Sequence, residues 1–156
     1  MDQRLQQFRE DFALLIEAGF VAVKQLDEVS ATRIFHAAQV INPASTAPQI
    51  GLGFIALNKL EVKQATKIFE KVVKEEPENY LAKTFLGMCF LLTPQRRKKG
   101  EQVIREAMER TTDPTIKNLG EVSLEWAEKD LSKKERSKAP FFAEKQAVES
   151  EGKGAT

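Results

Sequence analysis

Residues 46–79 read TAPQIGLGFIALNKLEVKQATKIFEKVVKEEPEN, and this segment forms one period of a repeat. Small, aromatic and proline positions all recur at an interval of about 34 residues, which is typical of stacked helix–turn–helix units. The recurring sets are Gly19, Gly53 and Gly87; Ala22 and Ala56; Ala31 and Ala65; Ile34 and Ile68; Phe35 and Phe69; and Pro43 and Pro77. Phe35 and Phe69 are expected to fill the space between the helices of each unit.

The pattern resembles the tetratricopeptide (TPR) repeat, whose two helices cross at small residues. The resemblance implies an all-α solenoid of about three repeats within a domain spanning 1–131. The expected segments are repeats at about 12–45, 46–79 and 80–113 and a capping helix at about 114–130. The residues 132–156 are rich in Lys, Glu, Ser, Gly and Ala and predict a disordered tail. In that tail Phe141-Phe142 is either a docking motif or a pair that is loosely packed or has no role in binding.

Local signals predict where these helices begin and end. A residue before proline is pushed out of the helical region, so the second helix of the first repeat should stop before Asn42-Pro43. Thr46 is expected to cap the next helix. In the third repeat the small–large–small pattern from Gly100 onward fits only after an insertion of one residue. Asp113 should cap the last helix, with Pro114 at its first position.

In TPR proteins the first helix of each repeat lines a concave face. Eight of the nine inward positions are apolar in this sequence, which suits the nonpolar face of a partner's amphipathic helix. The predicted groove residues are Ile16, Phe20, Val23, Ile50, Phe54, Leu57, Thr84, Met88 and Leu91. This composition argues against the TPR clamp for C-terminal carboxylates, which uses Lys, Asn and Arg at such positions. Alternatively, these residues pack on one another or on the end helix, or a terminal segment fills the groove.

A second apolar pattern lies near the start of the chain. Leu5, Phe8 and Phe12 recur at helical spacing, followed by Leu15 and Ile16. Two interpretations are open. The residues either extend the core or form an exposed stripe for a second helical partner.

Composition and motifs favour a binding protein over other classes. The net charge of +1 does not suit nucleic-acid binding, and the basic run 96–99 is expected to be a solvated turn and helix start. The single Cys89 is predicted to be buried, and with the single His36 it cannot make a usual zinc site. Gly51-Leu52-Gly53 lacks the strand and lysine of a nucleotide-binding loop. We therefore expect no enzyme, cofactor or metal.

The chain also lacks the sequence features of export or membrane insertion. Its first twenty residues carry too many charges for a signal peptide, and the longest apolar run, 88–92, is too short to span a bilayer. A cytoplasmic location is expected.

The plan is similar to that of the bacterial type III secretion chaperones, which have about three TPR repeats, an apolar groove and a short end helix. The segment from Asp113-Pro114 through Trp126 looks like the closing helix of the needle-subunit chaperones. This resemblance implies a cytoplasmic chaperone that holds a needle subunit's amphipathic helix and prevents premature polymerisation. It also implies a small helical co-chaperone at Leu5, Phe8 and Phe12. The alternatives are a chaperone of translocator proteins, which holds an extended peptide, and a general TPR scaffold.

Overall fold

The computed structural model describes residues 2–131, and over these residues the chain is all-α, as predicted. The chain divides into two compact units between Pro77 and Glu78. The helices are α1 (Gln3–Lys24), α2 (Glu28–Ile41), α3 (Ala47–Asn58), α4 (Val62–Glu75), α5 (Tyr80–Leu91), α6 (Arg97–Arg110) and α7 (Pro114–Trp126). A 3₁₀ turn, Pro94–Arg96, precedes α6, and a π-helical turn, Ala127–Leu131, follows α7. The predicted tail, with Phe141 and Phe142, lies outside the described residues.

The first unit contains two helical hairpins, α1–α2 and α3–α4, joined by the ring of Phe35. A Cβ added to Gly19 of α1 would lie 2.6 Å from Cε1 of this ring, and a Cβ on Gly51 of α3 would also collide with it. In the second hairpin Phe69 is equally close to Gly53, at 2.7 Å from such a Cβ. Both rings are fully buried. The predicted filling of the inter-helix space is confirmed, and Phe35 additionally packs one hairpin on the other.

The two hairpin turns have the same backbone conformation at equivalent positions of the repeat. Leu26 has φ 62° and Leu60 has φ 59°, the left-handed region that bulky residues rarely adopt. The N–H of Leu26 donates to the Val23 carbonyl, and that of Leu60 to the Leu57 carbonyl, each at 3.0 Å. The repeat of the sequence therefore extends to the backbone of the turns.

Leu26→Gly should stabilise the chain, because a left-handed leucine is strained and this side chain has little packing to lose. Leu26 is 90% exposed, whereas Leu60 is 39% exposed. Removing the strain stabilises the folded state, whereas the greater conformational entropy of glycine stabilises the unfolded chain. The net effect should be a rise of about 0.5–1 kcal/mol in the free energy of unfolding. Urea unfolding measures the change. Leu60→Gly is the matched comparison, and it should gain less because it also loses packing. A loss of stability in Leu26→Gly would contradict this explanation.

Polar contacts also join the start of α3 to the end of α4 in the second hairpin. They show that one predicted helix cap is wrong. The Thr46 hydroxyl does not cap α3 but donates to the carboxylate of Glu76, 3.0 and 2.9 Å from its two oxygens. The Ser45 hydroxyl instead accepts a hydrogen bond from the Ala47 N–H at 3.2 Å. Thr46 is buried, so a link to a carboxylate after α4 satisfies its hydroxyl better than a local cap.

Ion pairs connect the turns of the two hairpins. Nζ of Lys59 lies 3.0 Å from a carboxylate oxygen of Glu28 and 3.0 Å from one of Glu61. Hydrogen bonds to Glu61 and then Glu28 raise the pKa of Lys59 above its ordinary value. Because all three side chains are exposed, these pairs add little stability. Apolar packing around Phe35 therefore dominates the junction between the hairpins.

In the second unit α5, α6 and α7 pack together, and the repeat pattern is shifted by one residue relative to the first unit. A Cβ on Gly87 would lie 2.5 Å from Cγ1 of Ile104, so Ile104 takes the place that Phe69 has beside Gly53. The step along the chain from Gly87 to Ile104 is one position longer than the step from Gly53 to Phe69. The predicted insertion of one residue is confirmed. The 3₁₀ turn Pro94–Arg96 stands where the other hairpins have a left-handed leucine.

The basic run at the start of α6 is more closely packed than predicted. The guanidinium of Arg96 lies 3.7 Å from the centroid of the Phe90 ring, and Nζ of Lys99 lies 5.4 Å from it. Nη1 of Arg97 donates to the carbonyl of Leu131 at 3.3 Å. Cation–π attraction and this long-range hydrogen bond hold Arg96 and Arg97 half-buried, although the sequence predicted both in solvent. The predicted turn and helix start are confirmed, and Lys98 and Lys99 are exposed as expected.

The start of α7 follows its sequence signal. The carboxylate of Asp113 accepts a hydrogen bond from the Thr115 N–H at 2.8 Å, and Pro114 takes the first helical position. Trp126 ends the regular helix, and the π-helical turn carries the chain to Leu131. The predicted end helix is therefore present, with a change of helix type in its last turn.

Candidate protein-binding site

The first unit holds six of the nine predicted groove residues, and they divide by burial. Val23, Ile50 and Leu57 are buried. The remaining three, Ile16, Phe20 and Phe54, are half-buried. These last three are the predicted positions in this unit whose side chains a partner can still reach, and we call them the binding face.

The binding face rests on the packed core of the first unit. The ring of Phe20 meets Phe35 edge-on, with centroids 5.1 Å apart and planes at 70°. The ring of Phe54 lies 6.4 Å from that of Phe20, at a tilt of 47°. Ile16 packs against the same buried cluster. Because Phe35 is itself held between Gly19 and Gly51, the half-buried aromatic rings sit on a rigid support.

The three predicted groove residues of the second unit are interior in the free chain. Thr84, Met88 and Leu91 are all buried. The Thr84 hydroxyl donates to the Tyr80 carbonyl of its own helix at 2.8 Å, so it does not need a partner's polar group. Their role in binding remains a prediction. Sequence position alone could not separate interior from reachable residues here, because Met88 and Leu91 are as apolar as the residues that a partner can reach.

Leu5, Phe8 and Phe12, the predicted N-terminal stripe, are mostly exposed to solvent. Leu5 and Phe8 are 53% and 41% exposed, and Phe12 is half-buried. Hydrogen bonds between polar side chains run along the rest of this helical segment, from Gln6 to Glu10 and from Gln7 to Asp11. Of the two interpretations left open by the sequence, the stripe fits the position of Leu5 and Phe8 better than a core extension does. Binding of a partner at the stripe remains a prediction.

The residues considered for chemistry lie in ordinary environments. Cys89 is buried, as predicted. Nδ1 of the exposed His36 lies 3.2 Å from Oε1 of Gln39. Across residues 2–131 no three His, Cys, Asp or Glu side chains come close enough to hold a metal ion. Gly51 lies inside α3 and makes room for the Phe35 ring, which gives this glycine a packing role.

A concavity that the sequence analysis did not predict lies in the second unit between α6 and α7. Its volume is about 720 Å³. Leu91, Met108 and Leu124 form apolar lining, and Leu131 lies at the same groove. We call it the α6–α7 groove. The only signal in the sequence was the apolar spacing of α7, which equally fits a helix buried along one side.

The chain matches no protein-family model and no curated protein. Within residues 2–131 every helix is too short or too polar to cross a membrane.

Proposed function

We propose that this chain is a TPR-type chaperone that holds an amphipathic helix of another protein on its binding face. The observation that carries the proposal is the pair Phe20 and Phe54, which occupy equivalent positions of the repeat and present neighbouring half-buried rings. Two large apolar side chains at equivalent positions, supported by a rigid core, are suited to the apolar face of a helix. The partner class is then an exposed amphipathic helix.

Several features support the TPR part of the proposal. The glycine–phenylalanine contact recurs in both hairpins of the first unit, and so does the left-handed leucine of the turn. Recurrence of packing and backbone conformation at one interval is what a helical repeat requires. That the whole domain forms a TPR solenoid is likewise part of this proposal.

The finer proposal names the client as a needle subunit of bacterial type III secretion, bound in the cytoplasm before export. Its mechanism is steric. A fibre-forming subunit exposes an apolar helix that pairs with its own kind, and Ile16, Phe20 and Phe54 cover that surface instead. Burial of a few large side chains, each worth roughly 1.5–3 kcal/mol, gives useful affinity after association costs. In this proposal the exposed residues Leu5 and Phe8 bind a small helical co-chaperone.

Phe54→Glu should abolish client binding, because it places a carboxylate against the client's apolar face. An unpaired charge in such a contact costs several kcal/mol, so affinity should fall by roughly 100-fold or more. The test is copurification from the native cytoplasm, followed by calorimetric titration with the client helix so identified. Circular dichroism checks that the variant remains helical.

Val40→Glu is the matched control, since Val40 lies on α2 with 81% of its surface exposed and outside the binding face. It should bind like the wild type. Equal binding by Phe54→Glu and Val40→Glu would contradict the proposal and favour a scaffold that uses other surfaces. A client that binds as an extended segment would favour the translocator-chaperone alternative.

A further inference from the structure

The α6–α7 groove has an acidic rim. Glu121, Glu125 and Glu128 line it from the side of α7 and the following turn, while Arg97, Glu101 and Arg105 line it from α6. Two arginines against four glutamates leave these six side chains with a net charge of −2. Nζ of Lys129 lies 2.8 Å from Oε1 of Glu125 and lowers the pKa of that carboxylate, so counting this lysine the rim carries a net charge of −1. The groove therefore combines an apolar lining with a rim that attracts cations.

The described part of the chain ends at this same groove. Leu131, the last described residue, is part of the lining. The segment that follows, 132–138, reads SKKERSK and carries four basic groups against one acidic group. Phe141-Phe142 comes shortly after it. A basic segment thus begins beside an acidic rim, and the chain's next two aromatic side chains come after it.

We propose that the segment containing Phe141 and Phe142 docks into the α6–α7 groove of its own chain. The aromatic rings cover the apolar lining formed by Met108 and Leu124. The basic residues before them lie along the acidic rim. The inference is independent of the proposed function, because it concerns only the second unit.

The length of the connection permits this docking. Ten residues from Leu131 to Phe141 span up to about 33 Å when extended. A helix of 14 residues such as α6 is about 21 Å long, so the rings can reach any point along it. Because the segment is tethered, its effective concentration at the groove is on the order of millimolar, and weak contacts suffice.

Methionine methyl groups provide a direct test in the full chain. Met108 lines the groove, whereas Met88 is buried on α5 and is not among the lining residues. Carbon-13 labelling of the methionine methyl groups lets both be followed by NMR. The double variant Phe141→Ser, Phe142→Ser should shift the Met108 resonance, because two ring currents leave its surroundings, and should leave Met88 in place. Val148→Ser removes a tail side chain outside the aromatic pair and should change neither resonance.

A second variant tests the charge argument while the tail remains intact. Glu121→Lys with Glu128→Lys reverses two exposed rim charges and should move Met108 toward its position in the double serine variant. The proposal is overturned if Met108 keeps its wild-type resonance in both variants. It is also overturned if the Met108 shift depends on protein concentration, since the tail would then occupy the groove of another copy.

Discussion

Phe35→Ala should lower the free energy of unfolding by about 3–5 kcal/mol, the usual cost of removing a buried aromatic side chain. The ring is fully buried and fits against backbone at Gly19 and Gly51, on two different helices. It also supports Phe20 from below, 5.1 Å between ring centroids. Closing the cavity would require α1 and α3 to shift against their other packing partners, so the structure is expected to relax only in part. The loss of stability should therefore reach the roughly 3–5 kcal/mol that is usual for a buried phenylalanine, since only part of the cavity closes.

Chemical denaturation monitored by circular dichroism measures this change. Phe8→Ala is the matched control, because it removes the same side chain from an exposed position on α1. Its cost should be below about 1 kcal/mol, as expected for surface substitutions away from packed features. If Phe35→Ala and Phe8→Ala cost the same, Phe35 does not join the two hairpins as described.

Gly100→Ala should lower the free energy of unfolding by about 1–3 kcal/mol, although alanine ordinarily favours a helix over glycine. A Cβ at this position would lie 2.7 Å from the carbonyl oxygen of Gly87 and 2.8 Å from the amide nitrogen of Leu91. Both are backbone atoms of α5, so relief requires the two helices to move apart. That movement would also loosen the contact of Ile104 with Gly87.

Gly120→Ala separates this steric effect from the general effect of replacing a helical glycine. A Cβ there would meet Cγ and Sδ of Met108, at 2.5 and 2.6 Å. These atoms belong to a flexible side chain that can turn away. The Cβ would also lie 3.2 Å from Cγ2 of the buried Ile104, so Gly120→Ala should cost some stability in denaturant unfolding, but less than Gly100→Ala. Equal losses for the two variants would show that backbone contact between α5 and α6 does not decide the outcome.

The hairpins and their core could be predicted because one pattern encodes both. Phe35 and Phe69 repeat with the glycines on which they pack, so the interval gives the helix pairs and their main contacts together. The insertion before Gly100 was also visible, since the small–large–small pattern reappears one residue late. Asp113 and Pro114 marked the start of α7 because their chemistry acts within one helical turn.

Features that depend on tertiary contacts could not be predicted in this way. Leucine is not a turn residue, so nothing at Leu26 or Leu60 indicated a left-handed backbone. The link from Thr46 to Glu76 joins residues on different elements, far apart along the chain and beyond any local signal. The division of the predicted groove residues into buried and half-buried ones depends on how α1 and α3 pack. For this reason the sequence named nine candidates, and in the first unit three of them form the binding face.

Site-specific photocrosslinking at position 20 is the most direct test of the proposed binding face. A benzophenone amino acid is placed at Phe20 in the full chain and, separately, at the exposed Val40 on α2 as the control. After irradiation in the native cytoplasm, mass spectrometry identifies the crosslinked peptide. We expect an adduct from position 20 alone, to a segment whose apolar residues recur at helical spacing. An adduct to the same client from position 40 and none from position 20 would contradict it.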